Sequence, residues 1–88
     1  MTDIQEVLDE RGSRYGQFER NAMVSQLLKS VLFETKKDVF LEHYQREALD
    51  MIAHKLARIV CGDPNYADSW LDIAGFAMLV ANILEARK

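Results

Sequence analysis

The spacing of apolar side chains predicts four helices. Ile4, Val7 and Leu8 recur at helical intervals, and Thr2 with Gln5 forms a capping-box pattern, so a short helix is expected over residues 4–10. Gly12 and Gly16 bracket "GSRYG" and predict a bent link. Phe18, Ala22, Ser25, Leu28 and Leu32 then mark one face of a helix over residues 17–32, widened by Val24, Leu27 and Val31. After the charged link "ETKKD" comes the clearest pattern. Leu41, Ala48, Ile52, Leu56 and Ile59 form a stripe over residues 41–60, and His43, Glu47, Asp50, His54 and Arg58 lie opposite it. "CGDPNY" ends that helix, with Gly62 in the position of a left-handed cap and Pro64 as a stop.

The fourth pattern, over residues 67–85, differs in kind. Trp70, Ile73, Phe76, Ala77, Val80, Ile83 and Leu84 leave no wide polar face. Such a helix is enclosed by its own domain or shared with another subunit. Ala67, Ala74, Ala77 and Ala81 also fall on one side, where small side chains allow a second backbone close. The expected architecture is all-α. It is a small bundle of three main helices plus a short N-terminal one, ending in an antiparallel hairpin, within a single domain covering residues 1–88.

Composition sharpens the last point. Apolar residues make up 49% of 88, more than a small lone domain readily hides, so a homo-oligomer, a dimer or higher, is expected. The net charge of −3 and the lack of a Lys/Arg run argue against a nucleic-acid partner. Cys61 is the only cysteine, which excludes a disulfide within the chain and fits a reducing cytoplasm. The acidic start "MTDIQEVLDERG" does not read as a signal peptide, and the apolar stretch 73–84 is too short for a bilayer, so no membrane partner is expected.

Candidate chemistry centres on carboxylates. Glu47 and Asp50 share one face of the third helix, and Asp68 and Asp72 one face of the fourth. Together they are a candidate Mg²⁺ ligand set, with Lys55, Arg58 or Arg14 on phosphates of a nucleotide. The competing reading is structural. In an antiparallel hairpin, residues whose numbers sum to about 128 stand level, which brings Lys55 to Asp72 and Arg58 to Asp68. Asp50 then lies roughly 15 Å along the axis from Asp68, too far to share an ion. Cross-helix ion pairs and negative charge at a helix start account for the acids more simply. His43 and His54 are three turns apart, and His54 is expected at solvent or an interface. No nucleophile–base pair emerges, so no catalytic residue is named.

"SRYGQFERN" holds a second candidate: Tyr15 to stack a planar ligand and Arg14 to meet a phosphate. Its structural counterpart is a hinge in which Tyr15 and Phe18 staple the second helix to the core. Gln45 falls on the apolar side of the third helix and needs a partner, in the "RYG" link or a second subunit.

With "RYGQF" and "QREALDMIAHKLARIVCGDPNYADSWLDIAGFAMLV" in view, the chain resembles a family of small, largely uncharacterised proteins of tailed bacteriophages. The likeness covers most of residues 14–84. It implies a phage gene expressed in the bacterial cytoplasm and no established activity; the missing catalytic set, the small size and the surplus apolar helix predict an accessory protein that acts by binding a host protein or other partner, without a cofactor. A looser similarity is to the all-α nucleoside triphosphate pyrophosphohydrolases of the MazG type, which hold Mg²⁺ with EExxE and ExxD sets. The corresponding stretches here are "EALD" (Glu47, Asp50) and "DSWLD" (Asp68, Asp72), with two acids for three in the first and a wider spacing in the second.

Overall fold

The computed structural model describes residues 3–34 and 40–88. Four helices follow in order: α1 (Ile4–Tyr15), α2 (Phe18–Glu34), α3 (His43–Cys61) and α4 (Ala67–Ala86). No strand occurs among the described residues, and the fold is an all-α bundle as expected. Thr2 and residues 35–38 of the "ETKKD" link lie outside the described residues.

α1 departs from its expected length. Asp3 caps it, its carboxylate accepting from the Gln5 amide at 3.1 Å. Gln5 Nε2 reaches Asp9 one turn on, at 2.9 Å. The helix then runs through Gly12 to Tyr15 rather than stopping near Glu10. A glycine weakens a helix by about 1 kcal/mol relative to alanine but does not forbid it. The break falls at Gly16, whose φ of 83° only glycine adopts easily and whose N–H returns to the Gly12 carbonyl. Gly62, expected to hold the left-handed position, has φ −123° instead.

Gly62 is required for a different reason. A Cβ there would stand 2.3 Å from the Arg14 carbonyl oxygen, and one on Gly16 would stand 2.1 Å from the Cys61 carbonyl oxygen. The α1–α2 link and the end of α3 therefore meet backbone to backbone, and the Asp63 amide donates to the Arg14 carbonyl at 2.7 Å.

α3 is central and touches each of the other three helices, whereas α4 touches α3 alone among the described elements. The buried apolar residues are Ala48, Ala53, Ala57 and Ile59, all on α3. Leu56, expected on the buried stripe, lies at an exposed edge; Ala53 and Ala57 take the inner positions because three helices must approach one. Gln45 finds its partner locally rather than in the "RYG" link: its Oε1 accepts from the Glu42 amide at 3.0 Å, in a capping box that starts α3. α2 is partly reversed from expectation. Asn21 and Ser25 are its buried residues, while Phe18 (83% exposed), Met23 and Leu27 face out. Phe18 is too exposed to staple α2 to the core.

α4 is joined to α3 by two ion pairs, Lys55 to Asp72 at 3.0 Å and Glu42 to Arg87 at 2.6 Å. Only Ser69 of its 20 residues is buried. By length and composition alone this 20-residue helix is long and apolar enough to cross a membrane, a longer segment than the stretch 73–84 read from the sequence.

Gly12 and Gly16 should respond oppositely to alanine. A Cβ on Gly12 meets nothing within 4 Å. Gly12→Ala should raise the free energy of unfolding by about 0.4–1 kcal/mol in urea. Gly16→Ala should lower it by more than that gain, since it adds both a strained φ and a backbone collision.

Candidate functional site

The turn after α3 is built by its own side chains. Asp63 accepts from the Asn65 amide at 2.9 Å, and Trp70 Nε1 donates to the Pro64 carbonyl at 2.8 Å. This fixes Tyr66 beside the "RYG" link. Tyr15 and Tyr66 meet edge to face, with ring centroids 6.1 Å apart. Arg14 lies over the Tyr66 ring at 4.4 Å and Arg58 over the Tyr15 ring at 4.2 Å. Four side chains from α1, α3 and the turn thus interleave.

Of the expected ligand-binding residues, Arg14, Tyr15 and Arg58 come together here. Lys55 does not, being held by Asp72. Arg58 was expected level with Asp68, but Tyr15 takes the guanidinium, and Asp68 instead accepts from the Tyr66 hydroxyl at 3.1 Å. That hydrogen bond pushes the Tyr66 hydroxyl pKa up.

The other acids lie apart from this cluster. Asp50 meets Arg46 at 3.6 Å, and Arg46 also stacks over Phe33. Glu47 and Asp50 line a hollow of about 420 Å³ between α2 and α3. Among the described residues no three histidine, cysteine or acidic side chains converge as metal ligands do. The residues therefore do not fit a single Mg²⁺ held by Glu47, Asp50, Asp68 and Asp72 together.

A larger cavity of about 800 Å³ lies between α1, α2 and α3, directly beneath the "RYG" link. Tyr15 and Arg58 form part of its wall, and Arg11, Lys29 and His54 extend it. Asn21 and Ser25 also line it. Asn21 Nδ2 donates to the Tyr15 carbonyl at 3.0 Å, but among the described residues Asn21 Oδ1 and Ser25 Oγ have no hydrogen-bond partner. Sequence reasoning missed both residues. Ser25 was assigned to an apolar face, and the signal available was two polar residues four apart on it.

His54, expected at solvent or an interface, is half-buried in this wall. Burial, then the charges of Arg58, Lys29 and Lys55, hold its pKa below 6.5. A depressed histidine pKa means that the unfolded chain takes up a proton first. Stability should be full above pH 6.5 and fall as pH drops from there toward the folded-state pKa. Denaturation curves across pH 7 to 5 should show this slope, and His54→Gln should flatten it.

Residues 2–84 match a family described as a domain of unknown function, DUF6378. No match is found among curated proteins or among solved structures. With nearly its whole length matched, the chain belongs to the DUF6378 family.

Proposed function

We propose that this protein is a non-enzymatic phage accessory protein of the bacterial cytoplasm, a homo-oligomer that acts by binding a host protein or other partner. The resemblance of its "RYGQF" and "GDPNYADSW" stretches to small phage proteins supports the setting. The observation that carries the oligomer is the exposure of α4. Trp70, Leu71, Met78 and Leu79 are each more than half exposed, and α4 packs on a single helix.

Magnitudes favour a second copy. A folded monomer of this mass exposes about 5,300 Å², whereas this chain exposes 6855 Å². Its radius of gyration is 15.2 Å against about 12 Å for a compact chain of this length. The surplus of about 1,500 Å² is what one partner contributes to an obligate interface, about 1,000–2,500 Å². Leu71, Ala74, Met78 and Ala81 recur at three- and four-residue steps on exposed positions, alternating large and small as a helix–helix seam does.

We infer further that α3 and α4 form an antiparallel hairpin, supported by the pairs Lys55–Asp72 and Glu42–Arg87. A bilayer is the poorer cover for α4. The two ion pairs tie it to α3, and insertion would carry Arg46, Glu47 and Asp50 toward hydrocarbon at about 2.5–3.5 kcal/mol for each charge.

Analytical ultracentrifugation of the full chain should show a dimer or higher species, and Leu71→Lys with Met78→Lys should shift it to monomer. A monomeric parent that floats with lipid vesicles would replace the oligomer with a membrane-bound form. Calorimetry with Mg²⁺ and each nucleoside triphosphate should give no heat at millimolar ligand. Saturable heat, with pyrophosphate released, would instead favour a Mg²⁺-dependent MazG-like hydrolase using Glu47, Asp50, Asp68 and Asp72.

A further inference from the structure

The cavity between α1, α2 and α3 is unlike the rest of the surface in two respects. The chain is acidic overall, yet this cavity takes a cation from each wall: Arg11 from α1, Lys29 from α2 and Arg58 from α3. Among the described residues Asp9 is the sole carboxylate lining it, and it accepts from Gln5 Nε2. Among the described residues none of the three cations has an ion-pair partner. Three positive charges converging on one concavity concentrate the field there and attract an anion.

The second respect is the unmet hydrogen bonding. Asn21 and Ser25 are 7% and 3% exposed, one turn apart on α2. Native proteins leave few buried polar atoms without partners. Because Asn21 Nδ2 is committed to the Tyr15 carbonyl, its buried Oδ1 is left, among the described residues, as an acceptor that lacks a donor. Ser25 Oγ can give or take a hydrogen bond. Leu8, Tyr15, Phe18 and Ala22 give the wall its apolar part, and Gln5, Gln17, Gln26 and His54 also line it. An apolar wall with a few convergent polar groups, at about 800 Å³, is the form of a small-molecule site, typically about 300–1,000 Å³.

We propose that this cavity binds a small organic anion with an apolar body and an N–H or O–H donor. The anionic end meets Arg11, Lys29 and Arg58. The body lies against Leu8 and Phe18, and the donor reaches Asn21 Oδ1, with Ser25 completing the contact. An inorganic anion would satisfy the cations and leave the apolar wall wet. A neutral aromatic would leave the cations unanswered. The site lies on α1, α2 and α3, while the exposed seam is on α4, so it stands independently of the oligomer.

The test uses the full chain and three probes: 4-aminophenyl phosphate, phenyl phosphate and inorganic phosphate. Nuclear magnetic resonance titration follows the Asn21 side-chain amide, the His54 ring and, as a reference, the α4 amides. Saturable shifts at Asn21 and His54 are expected, with affinity falling in the order in which the probes are named. Lys29→Gln and Arg11→Gln, both at accessible positions of their helices, should each weaken 4-aminophenyl phosphate about tenfold. Ser25→Ala should narrow its advantage over phenyl phosphate. The Leu71→Lys, Met78→Lys chain should bind unchanged, which separates this site from the seam. Shifts confined to α4, equal affinity in the charge variants, inorganic phosphate binding as tightly as the aryl esters, or no saturable shift with any probe would each overturn the proposal.

Discussion

Two backbones in direct contact hold this fold in register. Gly16 and Gly62 each occupy a place where a single methyl group would strike the other segment. The hydrogen bond from the Asp63 amide to the Arg14 carbonyl closes the contact. Such an approach is short-ranged and steric, so it fixes distance and orientation more strictly than side-chain packing does. From it follow the position of Tyr15 against Tyr66, the stacking of Arg58, and the roof of the cavity below. α1 buries no residue of its own, and this junction is what gives it a defined place.

The rest of the bundle is shaped by the smallness of its core. Ala48, Ala53 and Ala57 let neighbours come close to α3 but exclude little apolar area from water. At about 25 cal/mol for each Å², alanines cannot supply what leucines and phenylalanines would. The large apolar side chains are present in the sequence, yet they sit outside: Phe18, Met23 and Leu27 on α2, Leu71, Met78 and Leu79 on α4. These side chains leave much of the apolar surface of α2 and α4 uncovered.

The helical class, the four helices and most of their ends were legible because periodicity and capping are local. α3 and α4 begin and end within a few residues of the positions their patterns predict. The pairing of Lys55 with Asp72 was also legible, since it needs only helical rise and two neighbouring rods. What was not legible depended on three dimensions at once. No pattern distinguishes Gly12, which has empty space around it, from Gly16, which has a carbonyl oxygen there. Arg58 was assigned to Asp68 by height alone, but the cation found the nearer aromatic face of Tyr15 from another helix. Ser25 and Asn21 were obscured by their apolar neighbours on α2, because periodicity reports the average of a face and not its exceptions.

α4 and the cavity are two unmet demands of opposite sign, and the difference says what each awaits. Along α4 the demand is apolar, extended and repetitive, with alternating large and small side chains; a surface of that kind is answered by another helix and tolerates small shifts in register. In the cavity the demand is mixed and directional, cations and unmet hydrogen bonds beside an apolar wall. Asn21 Oδ1 accepts from one direction because its amide nitrogen is already bound, and the cations reach in from three different helices. A helix cannot enter such a space, and a small molecule cannot cover such a face. Tyr15 lies between the two in consequence as well as in place: its carbonyl fixes Asn21, its ring holds Arg58, and its edge meets the Tyr66 that leads into α4.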